Sequence, residues 1–215
     1  MKKYLKIDIV SDVVCPWCTI GYKRLEKAIL ELGIQDEVEI EWQPFELNPN
    51  MPAEGQNVQE HLAEKYGSTV EQLKESQKHM AEVGAELDFT FNYFDEMRMS
   101  NTLDAHILLE YAKQYGKQTQ LKMRLTTAFF SERKDVSKRD VLKIALLDVG
   151  LNAEEALAKL DNDLARAEVK TKEAYWQDLG VRSVPTIVFN RKSAVTGAQP
   201  IEVFKQVLTD LLQEN

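Results

Sequence analysis

The sequence lacks the features that mark membrane, secreted and disordered proteins. It has 215 residues but only nine glycines and six prolines, too few for a collagen-like or disordered chain. No stretch approaches the roughly 18 uncharged apolar residues that a membrane span needs. Near the N-terminus, Lys6 and Asp8 interrupt the apolar run before it reaches the length of a signal peptide. We therefore expect a cytoplasmic protein.

Positive charge is also scarce. Lysine and arginine number 27 against 35 aspartates and glutamates, for a formal net charge of −8, and the longest basic clusters are Lys2-Lys3 and Lys23-Arg24. Nucleic-acid-binding proteins usually carry a basic patch or stripe, and an acidic surface repels anionic lipid headgroups. The composition therefore predicts neither a nucleic-acid partner nor a membrane partner. With 44% hydrophobic residues, the chain has enough apolar material for a sizeable core.

Periodicity predicts strands at both ends of the chain and helices between them. Residues 4–11 and 38–45 have strand character, and the helical pattern of residues 16–32 is followed by Gly33 as a stop signal. A turn-rich linker at 46–57 leads into a helical block, where Thr69, Ser137 and Asn152 are expected to cap helices. The C-terminal part predicts strands at 186–189 and 193–196 and a helix at 201–212.

This order predicts one α/β domain interrupted by an insertion. Strands from both ends of the chain would form a single sheet, while the long block between them would fold separately. We expect a discontinuous sheet domain at residues 1–50 and 180–215, and an all-helical inserted domain at 58–179.

Both cysteines of the chain lie in one C-x-x-C motif, Cys15-Pro16-Trp17-Cys18, between the first predicted strand and helix. Cysteines three residues apart on a first helical turn are close enough for a disulfide. Cys15 would lie at the positive end of the helix dipole, which favours its thiolate, and Pro16 suits the first helical position. Cys15 is thus the expected attacking sulfur, and Cys18 the more buried resolving thiol.

The motif could also be a zinc site or a pair of structural cysteines. Zinc would need two further ligands, and the three histidines, His61, His79 and His106, form no second ligand pair, so we expect no metal. Structural cysteines remain an alternative, because free cysteine often fills protein cores. A C-x-x-C beside a β-α-β pattern in a reducing compartment favours redox chemistry over both.

Three segments together resemble the DsbA family of thioredoxin-fold oxidoreductases, and most closely its FrnE-like branch. They are Ser11-Asp-Val-Val-Cys15-Pro-Trp-Cys18, Ser183-Val-Pro185-Thr and Val195-Thr-Gly-Ala-Gln199, which occur in the family's order around a helical insertion. From sequence alone the Val184-Pro185 bond would be trans by default. The resemblance implies a thioredoxin-like fold, no tightly bound cofactor and a redox-active disulfide.

The same resemblance implies the role of each site residue. Cys15 would be the nucleophile and Cys18 the resolving cysteine, while Pro185 would be a cis-proline facing them. The backbone of Val184 would pair with substrate, and Pro16 and Trp17 would shape the substrate surface. Many thioredoxin-like enzymes have a buried carboxylate six residues before the nucleophile, where this sequence has Ile9. Asp12 or water would then take over proton transfer, unless Asp12 is a capping residue.

A further segment, Ser100-Asn101-Thr102 with His106, resembles 2-hydroxychromene-2-carboxylate isomerases and kappa-class glutathione transferases. By that resemblance Asn101, Thr102 and His106 would bind glutathione. The alternative is structural: Ser100 caps a helix and His106 packs one turn into it.

Two functions from different classes follow. The first is a thiol-disulfide oxidoreductase acting on protein, peptide or small-thiol substrates, with glutathione as a co-substrate. The second is a glutathione-dependent isomerase or transferase, in whose relatives a serine usually replaces Cys15 and the second cysteine is absent. The presence of both Cys15 and Cys18 favours the first, and a partner-binding module that merely retains the motif is a weaker third option.

Overall fold

The computed structural model describes residues 4–213. The strands in chain order are β1 (Leu5–Ser11), β2 (Val38–Pro44), β3 (Gln56–Asn57), β4 (Arg98–Met99), β5 (Thr186–Phe189) and β6 (Ser193–Thr196). The helices are α1 (Pro16–Leu32), α2 (Val58–Tyr66), α3 (Val70–Ala85), α4 (Leu103–Lys113), α5 (Gln118–Phe130), α6 (Arg139–Asp148), α7 (Ala153–Ala158), α8 (Asp163–Asp178) and α9 (Ile201–Gln213). Short 3-10 turns span Gln35–Glu37 and Lys159–Asp161. In the described part of the chain, no helix has both the length and the apolar character needed to cross a membrane.

Strands from both ends of the chain form one four-stranded sheet in the order β2-β1-β5-β6. β1 is parallel to β2, with Ile9 opposite Trp42, and antiparallel to β5, with Ile9 opposite Ile187. β5 and β6 form an antiparallel hairpin. The α/β class predicted from the strand pattern is confirmed, and the first strand of the chain lies in the centre of the sheet.

Each face of β1 is buried. Ile7 and Ile9 have no exposed surface, and by strand alternation Asp8 and Val10 point to the opposite face. Val10 packs there with Trp176 near the end of α8 and with Val188 of β5. A sheet covered on both faces holds the end of β1, where the C-x-x-C follows, in a fixed position.

The chain divides into two compact units, one formed by Met1–Phe45 with Thr171–Asn215 and the other by Glu46–Lys170. The observed boundaries fall after residues 45 and 170, whereas the predicted sheet domain ended at 50 and resumed at 180, with the helical domain at 58–179. The end of α8 belongs to the sheet-bearing unit because Trp176 packs against Val10 and Val188. The boundary between the units therefore falls inside a helix and not at its end. The predicted turn-rich linker lies in the other unit. Residues 1–3 and 214–215 of the predicted sheet domain lie outside the described residues.

The second unit is mainly helical but also contains a small sheet, which the all-helical prediction omitted. β3 and β4 pair antiparallel, with Gln56 opposite Met99. Strands of two residues are too short to show a period-two pattern, so periodicity could not have found them.

Two of the three predicted helix caps are correct. Thr69 forms a full capping box with Gln72, and the Asn152 side chain accepts a hydrogen bond from the Glu155 backbone. The predicted cap at Ser137 is wrong, because α6 begins one residue later than that cap requires and the Ser137 hydroxyl donates to Asp135 instead.

Candidate active site

The C-x-x-C lies where β1 passes into α1. Cys15 is the N-cap residue of α1, with an extended backbone, and Pro16 occupies the start of the helix. The Sγ of Cys15 accepts a hydrogen bond from the backbone N–H of Cys18 at 3.2 Å. Cys15 therefore occupies the position that serine or aspartate usually takes at a helix N-terminus, with sulfur as the capping atom.

The backbone at the start of α1 presents positive partial charge to the Cys15 sulfur. The helix N-terminus supplies the positive end of the dipole, and the first turn of α1 contains no acidic residue. The donor from Cys18 binds a thiolate more strongly than a thiol, because hydrogen bonds to charged acceptors are the stronger ones. Cys15 and Cys18 are not joined by a disulfide and are 4% and 1% exposed, so Cys18 is the more enclosed of the two.

Trp17 is the exposed residue of the motif. Its side chain is 40% exposed, while Pro16 before it is half-buried. A large aromatic surface next to a reactive sulfur suits contact with a bound molecule. Its predicted role at the substrate surface remains a prediction.

The loop before β5 lies against the same helix. The Val184–Pro185 peptide bond is cis, Pro185 is buried, and Val184 packs partly buried beside the cluster of Val10 and Trp176. On α1, a Cβ added to Gly21 would lie 3.1 Å from Cγ of Pro185. Gly21 follows Cys18 by one helical turn, so the fold brings the helix of the C-x-x-C and the Pro185 loop into direct contact.

The position six residues before Cys15 carries no carboxylate. Ile9 is completely buried there, as an apolar residue of β1. Asp12, also buried, accepts a hydrogen bond on Oδ1 from the backbone N–H of Val13 at 2.7 Å. Asp12 thus bonds within the loop that leads to Cys15, while the N-cap residue of α1 is Cys15 itself. Its role in proton transfer remains untested.

A buried polar cluster on β1 and β2 was not predicted from the sequence. The Gln43 Nε2 donates to Asp8 Oδ1 at 2.7 Å and to Glu41 Oε1 at 2.9 Å, so one amide bridges two buried carboxylates. Arg191 lies 3.5 Å from Asp8 Oδ2, and Lys6 donates to Glu41. The hydrogen bond to Glu41 raises the pKa of Lys6, although partial burial acts in the opposite direction. The sequence could have indicated this cluster, because Asp8 and Glu41 are acidic residues in the middle of strands that are otherwise largely apolar.

The residues predicted to bind glutathione lie in the helical unit. Asn101 Nδ2 donates to the carbonyl of Met51, and its Oδ1 accepts from the backbone N–H of Leu103. Thr102 is the N-cap residue of α4, without a side-chain cap, and the backbone N–H of His106 donates to its carbonyl. His106 is buried. These contacts are structural, and the predicted glutathione role of the three residues remains a prediction.

Ser100 does not cap α4, which corrects the structural alternative for this segment. Its hydroxyl donates to Asp135 at 2.7 Å. Among residues 4–213, no three histidine, cysteine, aspartate or glutamate side chains are grouped so that they could hold a metal ion.

A mixed sheet whose central strand leads into a C-x-x-C at a helix N-terminus, with a cis-proline loop against that helix, defines the thioredoxin-like class. The chain belongs to the DSBA-like thioredoxin domain family, whose model matches residues 6–209.

Three similar proteins extend over nearly the whole chain. A crystal structure of a probable DsbA oxidoreductase from Streptomyces coelicolor is 32% identical with a TM-score of 0.92, covering 99% of this chain and 92% of that one. The uncharacterized protein YwbO of Bacillus subtilis (strain 168) is 28% identical, covering 95% of this chain and 96% of its own. The cytosolic disulfide reductase DsbM from Pseudomonas aeruginosa with GSH shares the fold at a TM-score of 0.68 and 16% identity, covering 97% and 100%.

Proposed function

We propose that this protein is a thiol-disulfide oxidoreductase that cycles Cys15 and Cys18 between dithiol and disulfide. The observation that carries the proposal is the hydrogen bond from the Cys18 backbone N–H to the Cys15 sulfur at the start of α1. It joins a sulfur at a helix N-terminus to a residue that carries a second thiol within one helical turn, which is the arrangement that disulfide exchange requires. Membership of the DSBA-like thioredoxin domain family supports the assignment.

In the reductive direction, the Cys15 thiolate attacks one sulfur of a substrate disulfide. The substrate S–S bond breaks, a mixed disulfide forms on Cys15, and the departing substrate sulfur takes up a proton. Cys18, after losing its proton, attacks the Cys15 sulfur and releases the second substrate thiolate. The substrate gains two electrons and the protein is left with a Cys15–Cys18 disulfide, which thiols of the cell reduce again.

The substrate site would lie between the exposed indole of Trp17 and the loop at Val184 and Pro185. An extended peptide would pair with the backbone of Val184 as an added strand, while Pro16 and Trp17 contact its side chains. Glutathione would serve as the small thiol that closes the cycle. The solved structure of DsbM with GSH supports this part of the proposal, because that protein shares the fold.

We place this reaction in the cytoplasm and in the reductive direction. A thiol pool that keeps disulfides reduced supplies the electrons that the cycle needs. DsbM is described as a cytosolic disulfide reductase, which supports both assignments.

The redox equilibrium of the purified protein with glutathione tests the proposal. Wild type, Cys15→Ala and Cys18→Ser are equilibrated over a series of glutathione to glutathione-disulfide ratios, and thiols are counted by alkylation and mass spectrometry. We expect wild type to lose two thiols together at one defined ratio, while neither variant forms an internal disulfide. Wild type that retains both thiols at every ratio contradicts the oxidoreductase. Glutathione-dependent isomerase or transferase turnover that survives in Cys18→Ser would favour the second function instead.

A further inference from the structure

Two residues of α1, Gly21 and Arg24, contact the loop that follows β6. Gly21 and Arg24 are three residues apart and therefore adjacent on the helix surface. The Arg24 guanidinium donates from Nη1 to the backbone carbonyl of Ala198 at 2.7 Å. A Cβ added to Gly21 would lie 3.5 Å from Cα of Ala198 as well as 3.1 Å from the Pro185 ring. The absence of a side chain at Gly21 thus permits close approach, and Arg24 ties the approaching loop to the helix.

The loop at Ala198 is in turn bonded to the cis-proline. The backbone N–H of Gly197 donates to the carbonyl of Pro185 at 2.8 Å, and Gly197 has a φ of +84° that favours glycine. Gln199 closes the loop on itself, since its backbone N–H donates to Gly197 and its side chain donates to the carbonyl of Thr196. Ala198 is thus connected to Pro185 through the backbone hydrogen bond of the adjacent Gly197.

The hydrogen bond from Arg24 to Ala198 is stronger than the neutral backbone hydrogen bond from Gly197 to Pro185, because its donor is charged. A guanidinium donor to a carbonyl contributes more than a neutral hydrogen bond, and the planar group loses less freedom than a lysine would. The neighbouring Lys23 instead pairs with Glu26 on the same helix at 2.7 Å. Two adjacent cations of α1 therefore have separate partners, one on the loop and one within the helix.

We propose that Arg24 is a positioning residue that fixes the distance between the Pro185 loop and the helix bearing Cys15 and Cys18. This inference rests on the proposed function for its consequence in turnover. An extended substrate must contact the loop and the sulfur together, so a retreating loop weakens its binding. A small thiol that engages only the Cys15 sulfur needs no such support.

Arg24→Met tests the proposal, because it keeps the aliphatic length of the side chain and removes the donor. Arg24→Lys restores a charged donor, and Lys23→Met removes a matched charge that pairs with Glu26 of the same helix. The readouts are KM and kcat for reduction of a disulfide-containing peptide, together with amide hydrogen exchange of Gly197. For Arg24→Met we expect KM and the exchange rate to rise about tenfold, with kcat within about twofold, as loss of one charge-assisted hydrogen bond predicts.

Arg24→Lys should recover most of the wild-type KM, and Lys23→Met should match wild type in both readouts. Arg24→Leu, which also lacks a donor, serves in place of the methionine variant if the latter does not fold. Exchange and KM that stay at wild-type values in the donorless variant overturn the proposal, as does an equal change in Lys23→Met. If wild type reduces no peptide disulfide, the proposed function fails. The positioning role is then decided by hydrogen exchange alone, through whether the Gly197 amide exchanges faster in Arg24→Met than in wild type.

Discussion

The sulfur of Cys15 accepts its hydrogen bond from the backbone N–H of Cys18, 3.2 Å away. The second cysteine of the motif therefore contributes twice, through its thiol and through its amide. The amide donates to the first sulfur, and the thiol lies one turn further along the helix. This relationship makes the two cysteines chemically unequal, although both are buried.

The first prediction is that Cys15 is alkylated faster than Cys18. Its sulfur lies at the helix N-terminus and accepts the Cys18 backbone N–H, an arrangement typical of attacking cysteines, whereas Cys18 is the more enclosed of the two. Iodoacetamide labelling across a pH series, followed by peptide mapping, measures both rates, and Cys18→Ser isolates the Cys15 signal. Faster labelling of Cys18 would show that the two roles are assigned the wrong way round.

The second prediction is that Cys18→Ser traps substrates as mixed disulfides on Cys15. The chain has only two cysteines, so no other internal sulfur can release the intermediate. Purification under non-reducing conditions should give adducts of higher mass that disappear with reductant, whereas wild type and Cys15→Ser should give almost none. Adducts with glutathione alone would identify a small-thiol partner. An adduct-free Cys18→Ser would mean that the motif is structural.

The third prediction concerns Gly21→Ala. Replacing glycine by alanine within a helix usually stabilises a protein by about 0.5–1 kcal/mol. Here the added Cβ would lie 3.1 Å from the Pro185 ring, so the loop must yield by a few tenths of an ångström. We therefore expect no gain in the free energy of unfolding, measured with urea, and a raised KM for a disulfide peptide.

Gly84→Ala provides the comparison for that experiment. Its added Cβ would lie 2.5 Å from the Phe91 ring and 2.7 Å from the Phe89 carbonyl, which is too close for either atom. Overpacking of this kind typically costs about 1–3 kcal/mol, so this variant should be clearly destabilised. A gain in stability for Gly21→Ala would show that the Pro185 loop is not in tight contact with α1.

The fourth prediction is that Asp135 stabilises the protein at neutral pH and loses this effect in acid. Burial alone would raise the pKa of its carboxyl group, but hydrogen bonds from Ser100 and Ser137 outweigh burial and leave the pKa below the usual 3.8. A carboxyl group with a lowered pKa in the folded state stabilises it above the unfolded pKa. The contribution disappears as pH falls through the folded value.

Asp135→Asn should therefore unfold more easily than wild type at pH 7, by about 1–3 kcal/mol as expected for disrupted hydrogen bonds to a charged group. The difference should shrink as the pH falls from the ordinary pKa of an unfolded aspartate, about 3.9, through the lower pKa of the folded state. Asp88→Asn is the control, because it removes an exposed charge from the same unit at a positive φ that asparagine accepts. A difference between Asp135→Asn and wild type that does not vary with pH would contradict the prediction.

Local sequence signals determined much of this structure. The helix predicted at 16–32 has those bounds because proline suits its first position and Gly33, at a φ of +68°, ends it. The strands at 186–189 and 193–196 were also predicted with their observed bounds, since each is a short run of strand-forming residues next to turn signals. The C-x-x-C was recognisable for the same reason, because its chemistry is contained within one helical turn.

Tertiary structure decided what these signals could not. Ser100 and Ser137 resemble helix caps, yet both hydroxyls bind Asp135, because a hydrogen-bonding side chain takes whichever acceptor the fold presents. The contacts of Asp8 with Arg191 and of Arg24 with Ala198 join residues from opposite ends of the chain. Periodicity and capping act over a few residues, whereas these pairs exist only because β1 and β5 lie side by side in the sheet. The sequence thus marked the candidate cysteines and the candidate loop, and the pairing of β1 with β5 brought that loop against the helix that carries them.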